Sequence, residues 1–557
     1  MTARGKFVLT LVILAIAGLG SYKWWSRLLP DQKATSAAKA TASPGTATPA
    51  KTAKLDAADF VAPQTACPRL PPAGTFLPKD NTVELELSEY AGYSGIIVAN
   101  GGLEPSENSF FFRKHGFKVR IKLSEEESWP ALNTGRIAAS ATTVDVLTAY
   151  CRNFQVSAPV QIAFSRGADG LVVRKELRRI NDLKGRTLVT AQFTESDFFI
   201  RYLTQEAGLA VNMLATPAES PAPDKVNLLF AADAFAAGDL FLKELKAGGQ
   251  RLAGCVTWAP KTTEVVEASN GAAVILTTNK NLLIVADILV VNKGFAQANP
   301  KMIAGLVEGV LEGNRLVRDN ASAHLDIIAK AFKWDRVKAQ TELAKVHFSN
   351  LPENLAFYSG AIDAAGSFAG IYSSATLAYG PLIDLPVDAD RYMEPTQLKA
   401  LQAAGAFAGQ QIAIAPIRSS SRGALEGDPL LTKDIRFLFE PNSAKLDMNH
   451  QANLAALDSI KRLLQVSPGS TILLRGHVDN AMVADFRKQG GETFVRQMAL
   501  KAMELSKNRA TEIRSVLVTK LSVQPARLET VGRGWEEPSG TDADKNRRVE
   551  VQWFTVE

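Results

Sequence analysis

A chain of 557 residues is too long for one hydrophobic core and holds about three or four domains' worth of sequence. Its 63 basic and 57 acidic residues leave a formal net charge of +6 spread along the length, which excludes the concentrated basic face of a nucleic-acid binder. Five histidines, His115, His324, His347, His450 and His477, stand too far apart for metal-ligand spacing, and no G-x-S-x-G, Walker or G-x-G-x-x-G signature occurs; no catalytic residue, metal or cofactor is expected.

Residues 7–20 are apolar or small, with Arg4 and Lys6 before them and Tyr22, Lys23, Trp24 and Trp25 after. Ala15-Ile16-Ala17 could serve as a cleavage site only by leaving a very short apolar core, so residues 1–28 read as an uncleaved signal anchor. The run falls short of the roughly 20 residues of a spanning helix, and the Trp pair completes it at the interface. Arg4 and Lys6 place the N-terminus inside and the bulk of the chain outside the cytoplasm. Residues 29–80 are rich in Ala, Thr, Pro, Ser and Lys, with too few large apolar side chains for a core. They read as a disordered tether with an end-to-end distance of about 40 Å. Cys67, Cys151 and Cys255 allow at most one internal disulfide, with the pairing open. Cys255 sits in an apolar run and reads as a small buried residue.

Residues 81–405 alternate strand-like and helix-like runs, with strands expected at 83–87, 95–99, 118–123, 160–164, 187–191, 226–230 and 252–258, and a helix at 300–316. The alternation favours mainly parallel sheets with ligands at the carboxyl ends of strands. Within this stretch stand Phe164-Ser165-Arg166-Gly167-Ala168-Asp169, Asp182-Leu183-Lys184-Gly185-Arg186, Phe193-Thr194-Glu195-Ser196-Asp197, Ala237-Gly238-Asp239, Thr257-Trp258-Ala259-Pro260 and Asp287-Ile288-Leu289-Val290-Val291. The set resembles type 2 periplasmic solute-binding proteins of ABC transporters, the group that includes sulfonate, nitrate and thiamine-precursor binders. That resemblance implies two lobes joined near 168–173 and 286–291, closing on a small-molecule solute. Tyr93, Thr142, Thr143, Thr194, Ser196 and Trp258 are the expected solute contacts, with Tyr90 and Asp145 beside them. The helix start at 194–197 either offers N–H groups to an anion or is merely capped by Thr194 or Ser196, and Glu195 and Asp197 would repel an anion there.

Residues 406–430, with Arg418-Ser419-Ser420-Ser421-Arg422-Gly423, read as an interdomain linker. From 431 to 557 the order is strand, helix, strand, helix, strand. A first strand is expected at 435–439, a helix carries Leu454, Leu457, Ile460, Leu463 and Leu464 to Pro468-Gly469, and a strand at 471–474 leads to Gly476-His477-Val478-Asp479. A second helix follows Leu505-Ser506 with Arg509-Ala510, then come Gly532-Arg533-Gly534, Pro538 and Asn546-Arg547-Arg548-Val549-Glu550. This order of motifs resembles the OmpA-like C-terminal domain. The resemblance implies binding to peptidoglycan, with Asp479 taking the ammonium and Arg509 the carboxylate of diaminopimelate in the stem peptide. Val478 stands where the family usually has Thr or Ser, the stretch 486–503 is longer than the family's loop, and Ala502 replaces an asparagine.

The expected fold is therefore α/β: a two-lobed periplasmic binding protein-like domain, then an α+β OmpA-like domain, behind an N-terminal membrane helix. The expected protein is no enzyme. It sits in the inner membrane by a single pass with its bulk in the periplasm, binds a small solute, and attaches to peptidoglycan. The alternative is the substrate-delivery component of an ABC importer, with a permease as partner, stationed at the wall.

Overall fold

The computed structural model describes residues 55–124, 128–361, 366–414, 429–440 and 443–554. The expected anchor at 1–28 lies outside them, and among the described residues no helix is long and apolar enough to cross a membrane. In chain order the first strands are Thr82–Leu87 (β1), Lys118–Leu123 (β2), Ala139–Thr143 (β3), Val156–Ser165 (β4), Asp169–Arg174 (β5), Thr187–Ala191 (β6), Val211–Met213 (β7), Val226–Ala231 (β8), Gly254–Trp258 (β9), Ala273–Thr278 (β10), Ala286–Asn292 (β11) and Val346–Phe348 (β12).

They form two six-stranded sheets, β12-β4-β11-β3-β1-β2 and β10-β5-β9-β6-β8-β7. In the first, β1 pairs parallel with β2 and β3, while β11 lies antiparallel between β3 and β4. In the second, β6 pairs parallel with β8 and β9, while β5 lies antiparallel between β9 and β10. One order, β2-β1-β3-β11-β4 and β8-β6-β9-β5-β10, therefore builds both lobes. In each lobe the fourth strand has just crossed from the other: β5 enters through residues 166–168 and β11 returns through 279–285. This exchange makes the two-lobed periplasmic-binding-protein fold and leaves two short connections between lobes, the geometry of a hinge. It also makes the sheets mixed rather than mainly parallel, because a strand arriving from the opposite lobe runs against its new neighbours. β3, β4 and β11 are buried along their whole length, as a sheet covered on both faces requires.

Residues 95–99, expected as a strand, are instead part of the helix Ser94–Asn100. The run of Ile96, Ile97 and Val98 favours extended backbone locally, but tertiary packing overrides it. Gly95 lies against the helix Pro300–Asn320 so closely that a Cβ on Gly313 would meet the Gly95 carbonyl oxygen at 1.9 Å.

The last part of the expected tether, 55–80, is packed. Val61 donates its N–H to Phe230 O in the second lobe (2.7 Å), and Gln64 N–H donates to Gln192 Oε1 (2.7 Å). Further on, Gly74 N–H donates to Asn133 O in the first lobe (2.9 Å), and buried Phe76 meets Phe295 edge-on at 5.4 Å. A few apolar anchors spaced through a Pro-rich strap suffice to lay it across both lobes, a pattern that average composition conceals.

Cys67 in this strap faces Cys151, their sulfurs 2.7 Å apart and both buried, while Cys255 is buried elsewhere. The hydrogen bond from Cys151 holds the Cys67 thiol below its ordinary pKa, favouring the thiolate that attacks a disulfide. Treatment of the full chain with oxidised glutathione should therefore join Cys67 to Cys151, releasing two glutathione thiols and stabilising the fold by about 2–4 kcal/mol. Peptide mapping by mass spectrometry checks this; a bridge through Cys255, or none, would contradict it.

The C-terminal sheet holds Leu431–Ile435 (β13), Thr471–Gly476 (β14), Leu528–Gly532 (β15) and Val549–Phe554 (β16) in the order β13-β16-β14-β15. The first strand lies earlier than the expected 435–439. Leu431 and Ile435 pair with Trp553 and Val549 on β16, whereas Phe437 turns into the core and Phe439 makes only an isolated bridge to Leu446. The helices Gln451–Val466 and Val483–Thr519 complete the domain, the second broken at Gly490 and Gly491, where Gly491 has φ 63°. The long stretch 486–503 is thus mostly helix. On β14, Gly476 lies under that helix, and a Cβ there would come within 2.0 Å of Ser506 O.

The domain rests on the rest of the molecule. Leu430 O accepts from Ile180 N–H (2.9 Å), Asn181 makes two hydrogen bonds with the Thr432 backbone (2.8 and 2.9 Å), and Leu283 in the 279–285 connection donates to Val466 O (2.8 Å). Of the expected linker, Gln411 and Ala413 are hydrogen-bonded to Asn350 and Glu353, and residues 415–428 lie outside the described residues.

Candidate functional site

A cavity of about 190 Å³ lies between the lobes. The first lobe supplies Tyr90, Tyr93, Trp129, Thr143, Tyr150 and Asp287 to its wall; the second supplies Gln192, Phe193, Thr194, Glu195, Asp233 and Trp258; Ser165 and Asp169 flank the 166–168 crossing. Thr143 ends β3, Trp258 ends β9, and Asp287 and Asp169 sit at the crossover ends of β11 and β5, so strand termini deliver the polar groups.

Of the six expected solute contacts, Tyr93, Thr143, Thr194 and Trp258 line this cavity. Thr142 and Ser196 do not. Successive side chains of a strand point to opposite faces, so Thr142 is buried behind Thr143, and Ser196 turns inward one step into its helix. The helix Glu195–Glu206 has Thr194 at its N-cap position, yet the Thr194 hydroxyl donates back to Ala191 O (2.8 Å) and caps nothing. Asp197 accepts from Phe193 N–H (3.1 Å) and from Arg201 Nε (2.7 Å) in a fully buried pair.

The acids of the cavity have unequal surroundings. Asp169 Oδ2 accepts from the Ser165 hydroxyl (2.6 Å) and Asn279 Nδ2 (2.8 Å), yet burial pushes its pKa up to about 6. Asp287 Oδ1 accepts from the Tyr93 hydroxyl (3.3 Å), while its Oδ2 has no hydrogen-bond partner among the described residues. Burial first, and then the neighbouring charge of Asp169, raise Asp287 well above the usual carboxylate range. Asp145, buried behind the wall, is raised to about 7 by desolvation, with the Thr143 hydroxyl working against the rise. The indole Nε1 of Trp258 is also buried without a hydrogen-bond partner among the described residues.

In the C-terminal domain a second groove, of about 270 Å³, is lined by Arg436, Phe437, Phe439, His477, Arg509, Arg547 and Arg548 among others. Asp479 leaves β14 at its rim: its Oδ1 accepts from Ala481 N–H (3.1 Å), and its Oδ2 lies 3.8 Å from Arg547. Arg509 stacks over the Phe439 ring at 4.9 Å with its Nε unpaired among the described residues. Desolvation and the like charge of Arg547 lower the Arg509 pKa, and Asp479 opposes them. Asp544 engages Arg436 and Arg547, and Asp434 engages Arg548 (3.1 Å), which leaves Asp479 and Arg509 as an acid and a guanidinium at one groove, the complement of a zwitterionic ligand. His477, Glu537 and Glu550 also converge, but Arg475 pairs with both acids at 2.7 and 3.0 Å, and against the desolvation of Glu550 the hydrogen bonds of His477 and Gln552, with the charge of Arg475, hold its pKa down at about 2.

Residues 438–552 match the OmpA family. The C-terminal segment is an OmpA family domain. For the lobes, similar solved structures include the alkanesulfonate-binding protein SsuA from Xanthomonas axonopodis pv. citri bound to MOPS (12% identity, 57% of this chain and 99% of that one, TM-score 0.42). Others are the periplasmic aliphatic sulphonate binding protein SsuA from Escherichia coli (14%, 58% and 100%, 0.41) and the periplasmic nitrate-binding protein NrtA from Synechocystis PCC 6803 (13%, 58% and 89%, 0.42). No curated protein matches the chain in sequence.

The OmpA domain's motifs have visible work. Asn546 accepts from Ser539 N–H (2.8 Å) and donates to Gly540 O (2.9 Å), fixing the loop beside the groove, and the Ser506 hydroxyl oxygen accepts from Gly534 N–H (3.0 Å). Asp479 and Arg509 were singled out in the sequence; Arg436, Arg547 and the Phe439 platform were not. The Asn546-Arg547-Arg548 run was the available signal for Arg547. In the lobes, Asp169 and Asp287 stood in the motifs at the expected lobe junctions but were not expected as cavity residues, and Gln192 was not singled out; the neighbours of a strand residue do not tell which of its faces meets a cavity.

Proposed function

We propose that this chain is a solute-binding protein of the cell envelope, held at peptidoglycan by its OmpA domain and carrying its solute in the interlobe cavity. The observation that carries the reading is the cavity itself: two lobes joined by two short crossings enclose buried polar atoms, Asp287 Oδ2 and Trp258 Nε1, that have no partner among the described residues. Buried polar groups ordinarily find partners, and those that do not mark places where a ligand supplies them. Wall attachment is supported by the OmpA match together with the pairing of an acid and arginines at one groove. The membrane anchor rests on the sequence of residues 1–28, and it would keep the chain in the membrane fraction.

A ligand that binds the folded state alone raises the melting temperature increasingly with its concentration. Full-length protein screened against small anions, amines, sugars and cell-wall fragments should show such a shift for one solute class, and Trp258→Ala should weaken it. A shift that survives Trp258→Ala unchanged places the ligand elsewhere and contradicts the cavity.

A further inference from the structure

The cavity has the wrong charge for an anion. Asp169, Glu195, Asp233 and Asp287 line it, and no lysine, arginine or histidine is among the described residues of its wall. The buried arginine nearest the helix start, Arg201, is engaged by Asp197 at 2.7 Å and lies over the Tyr379 ring. Lys261, beyond Trp258, is engaged by Asp239 and Glu264. The other wall material is aromatic: Tyr90 and Tyr93 meet edge to face at 5.3 Å on one side, and Trp258 packs on Phe235 at 5.4 Å on the other. Resting on the solute-binding reading above, we propose that the cavity takes a small organic cation, an ammonium held by the carboxylates of Asp169 and Asp287 and the aromatic side chains of Tyr90, Tyr93 and Trp258.

Three observations converge on this. Asp287 is 2% exposed and its Oδ2 is unpartnered at the cavity wall, an acceptor that an N–H or a positive charge would satisfy. Aromatic side chains around a desolvated site favour cations through the ring quadrupole, and most strongly through tryptophan. Size limits the ligand to a small molecule, since the cavity volume is about 190 Å³. A sulfonate or nitrate in the same space would meet no cationic side chain among the described residues of the wall and, wherever the acids are ionised, like charge at a steep electrostatic penalty in a buried site.

The charge of the ligand sets the sign of its pH dependence. The groups facing the cavity or packed behind it are Asp287, Asp145, Tyr90, Tyr93 and Tyr150 from the first lobe, Asp169 at the crossing, and Glu195, Asp233 and the Asp197–Arg201 pair from the second. With Asp169 at about 6, Asp145 at about 7 and Asp287 raised, the empty site carries protons near neutrality. A cation displaces them, so its affinity rises with pH from 5.5 to 8; an anion's falls.

The test is calorimetric titration of the full chain with choline, benzylammonium and putrescine. Their neutral counterparts 3,3-dimethylbutan-1-ol and benzyl alcohol, and the anions methanesulfonate and nitrate, complete the set. At least one ammonium should bind one-to-one, about tenfold or more tighter than its neutral counterpart, and tighter at pH 8 than at pH 5.5. Asp287→Asn keeps an oxygen for Tyr93 and should weaken that ammonium about tenfold or more. The same change should raise the melting temperature of the ligand-free protein, because it removes a buried acid whose Oδ2 has no hydrogen-bond partner among the described residues; a merely structural aspartate would lower it. Undiminished binding by Asp287→Asn, an anion as the tightest ligand, or no ammonium binding overturns the proposal. If an anion or neutral probe binds in the cavity, the solute-binding reading stands without it; if no probe of any charge binds, both fall.

Discussion

Asp479→Ala and Arg509→Ala should each abolish pelleting of the full chain with diaminopimelate-type sacculi while leaving the OmpA domain folded. On the proposed wall-binding reading, the two side chains would answer opposite ends of one zwitterionic residue. Asp479 lies beside Arg509 and Arg547 at the rim of the groove, while Asp544 is engaged by Arg436 and Arg547 and Asp434 by Arg548, so loss of Asp479 removes the acid left to meet an ammonium there. Arg509 is pre-set by the Phe439 ring beneath it, and its fork holds a carboxylate in two hydrogen bonds where a lysine makes a point contact. Truncating one partner of a desolvated charge pair costs about 2–5 kcal/mol; Asp479 is 21% exposed, which favours the lower end, and about 2 kcal/mol still exceeds a tenfold loss of affinity. Changes at Arg487 or Lys488, on the helical insertion and outside the groove, should reduce pelleting only weakly. Sedimentation of both site variants at the wild-type level would show that the groove has kept its fold and lost its ligand, with Val478 in place of a hydroxyl as the first residue to restore.

Arg201→Met should destabilise the two-lobed domain by about 3–5 kcal/mol, the largest effect expected of any single change at the edge of the cleft. Asp197 is fully buried, and Arg201 Nε at 2.7 Å is its only cationic partner among the described residues. Even with that partner, desolvation leaves the Asp197 pKa above its ordinary value, so the carboxylate has little to spare. Without Arg201 it must either stay charged and unpaired or take up a proton. The double change Asp197→Asn with Arg201→Met keeps an acceptor for Phe193 N–H and buries no charge; it should be markedly more stable than Arg201→Met alone. Denaturant unfolding monitored on the full chain separates these outcomes, and a single variant within about 1 kcal/mol of wild type would refute the argument. Because Phe193, Thr194 and Glu195 line the cavity just ahead of this pair, loss of affinity for solute should accompany loss of stability.

What could be read from the sequence followed the range of the interactions involved. The OmpA domain was legible as a family match, since its helices show apolar periodicity and its motifs are short. Its first strand was misplaced because Ile435 to Phe439 alternates as a strand should, while the hydrogen-bonding partner, β16, lies at the far end of the domain. The two lobes were legible as an alternation of elements, but their mixed sheets were not, since strand exchange is a property of the whole chain path. Gly95 to Ala99 failed for the same reason: a neighbouring helix more than 200 residues away decides the conformation. The strap at 55–80 was hidden by its composition, and the negative cavity by the scatter of Asp169, Glu195, Asp233 and Asp287 over more than 100 residues of sequence.

The central claim, that one chain carries a solute site and a wall site, is tested most directly by separating them. Full-length protein is incubated with sacculi and a radiolabelled form of the ammonium ion that binds it tightest, and protein and label are counted in the pellet. The wild type should pellet with about one label per chain. Asp479→Ala should leave both protein and label in the supernatant, while Asp287→Asn should pellet as the wild type does and leave the label behind. Label pelleting undiminished with Asp287→Asn, or Asp479→Ala pelleting like the wild type, would contradict the account.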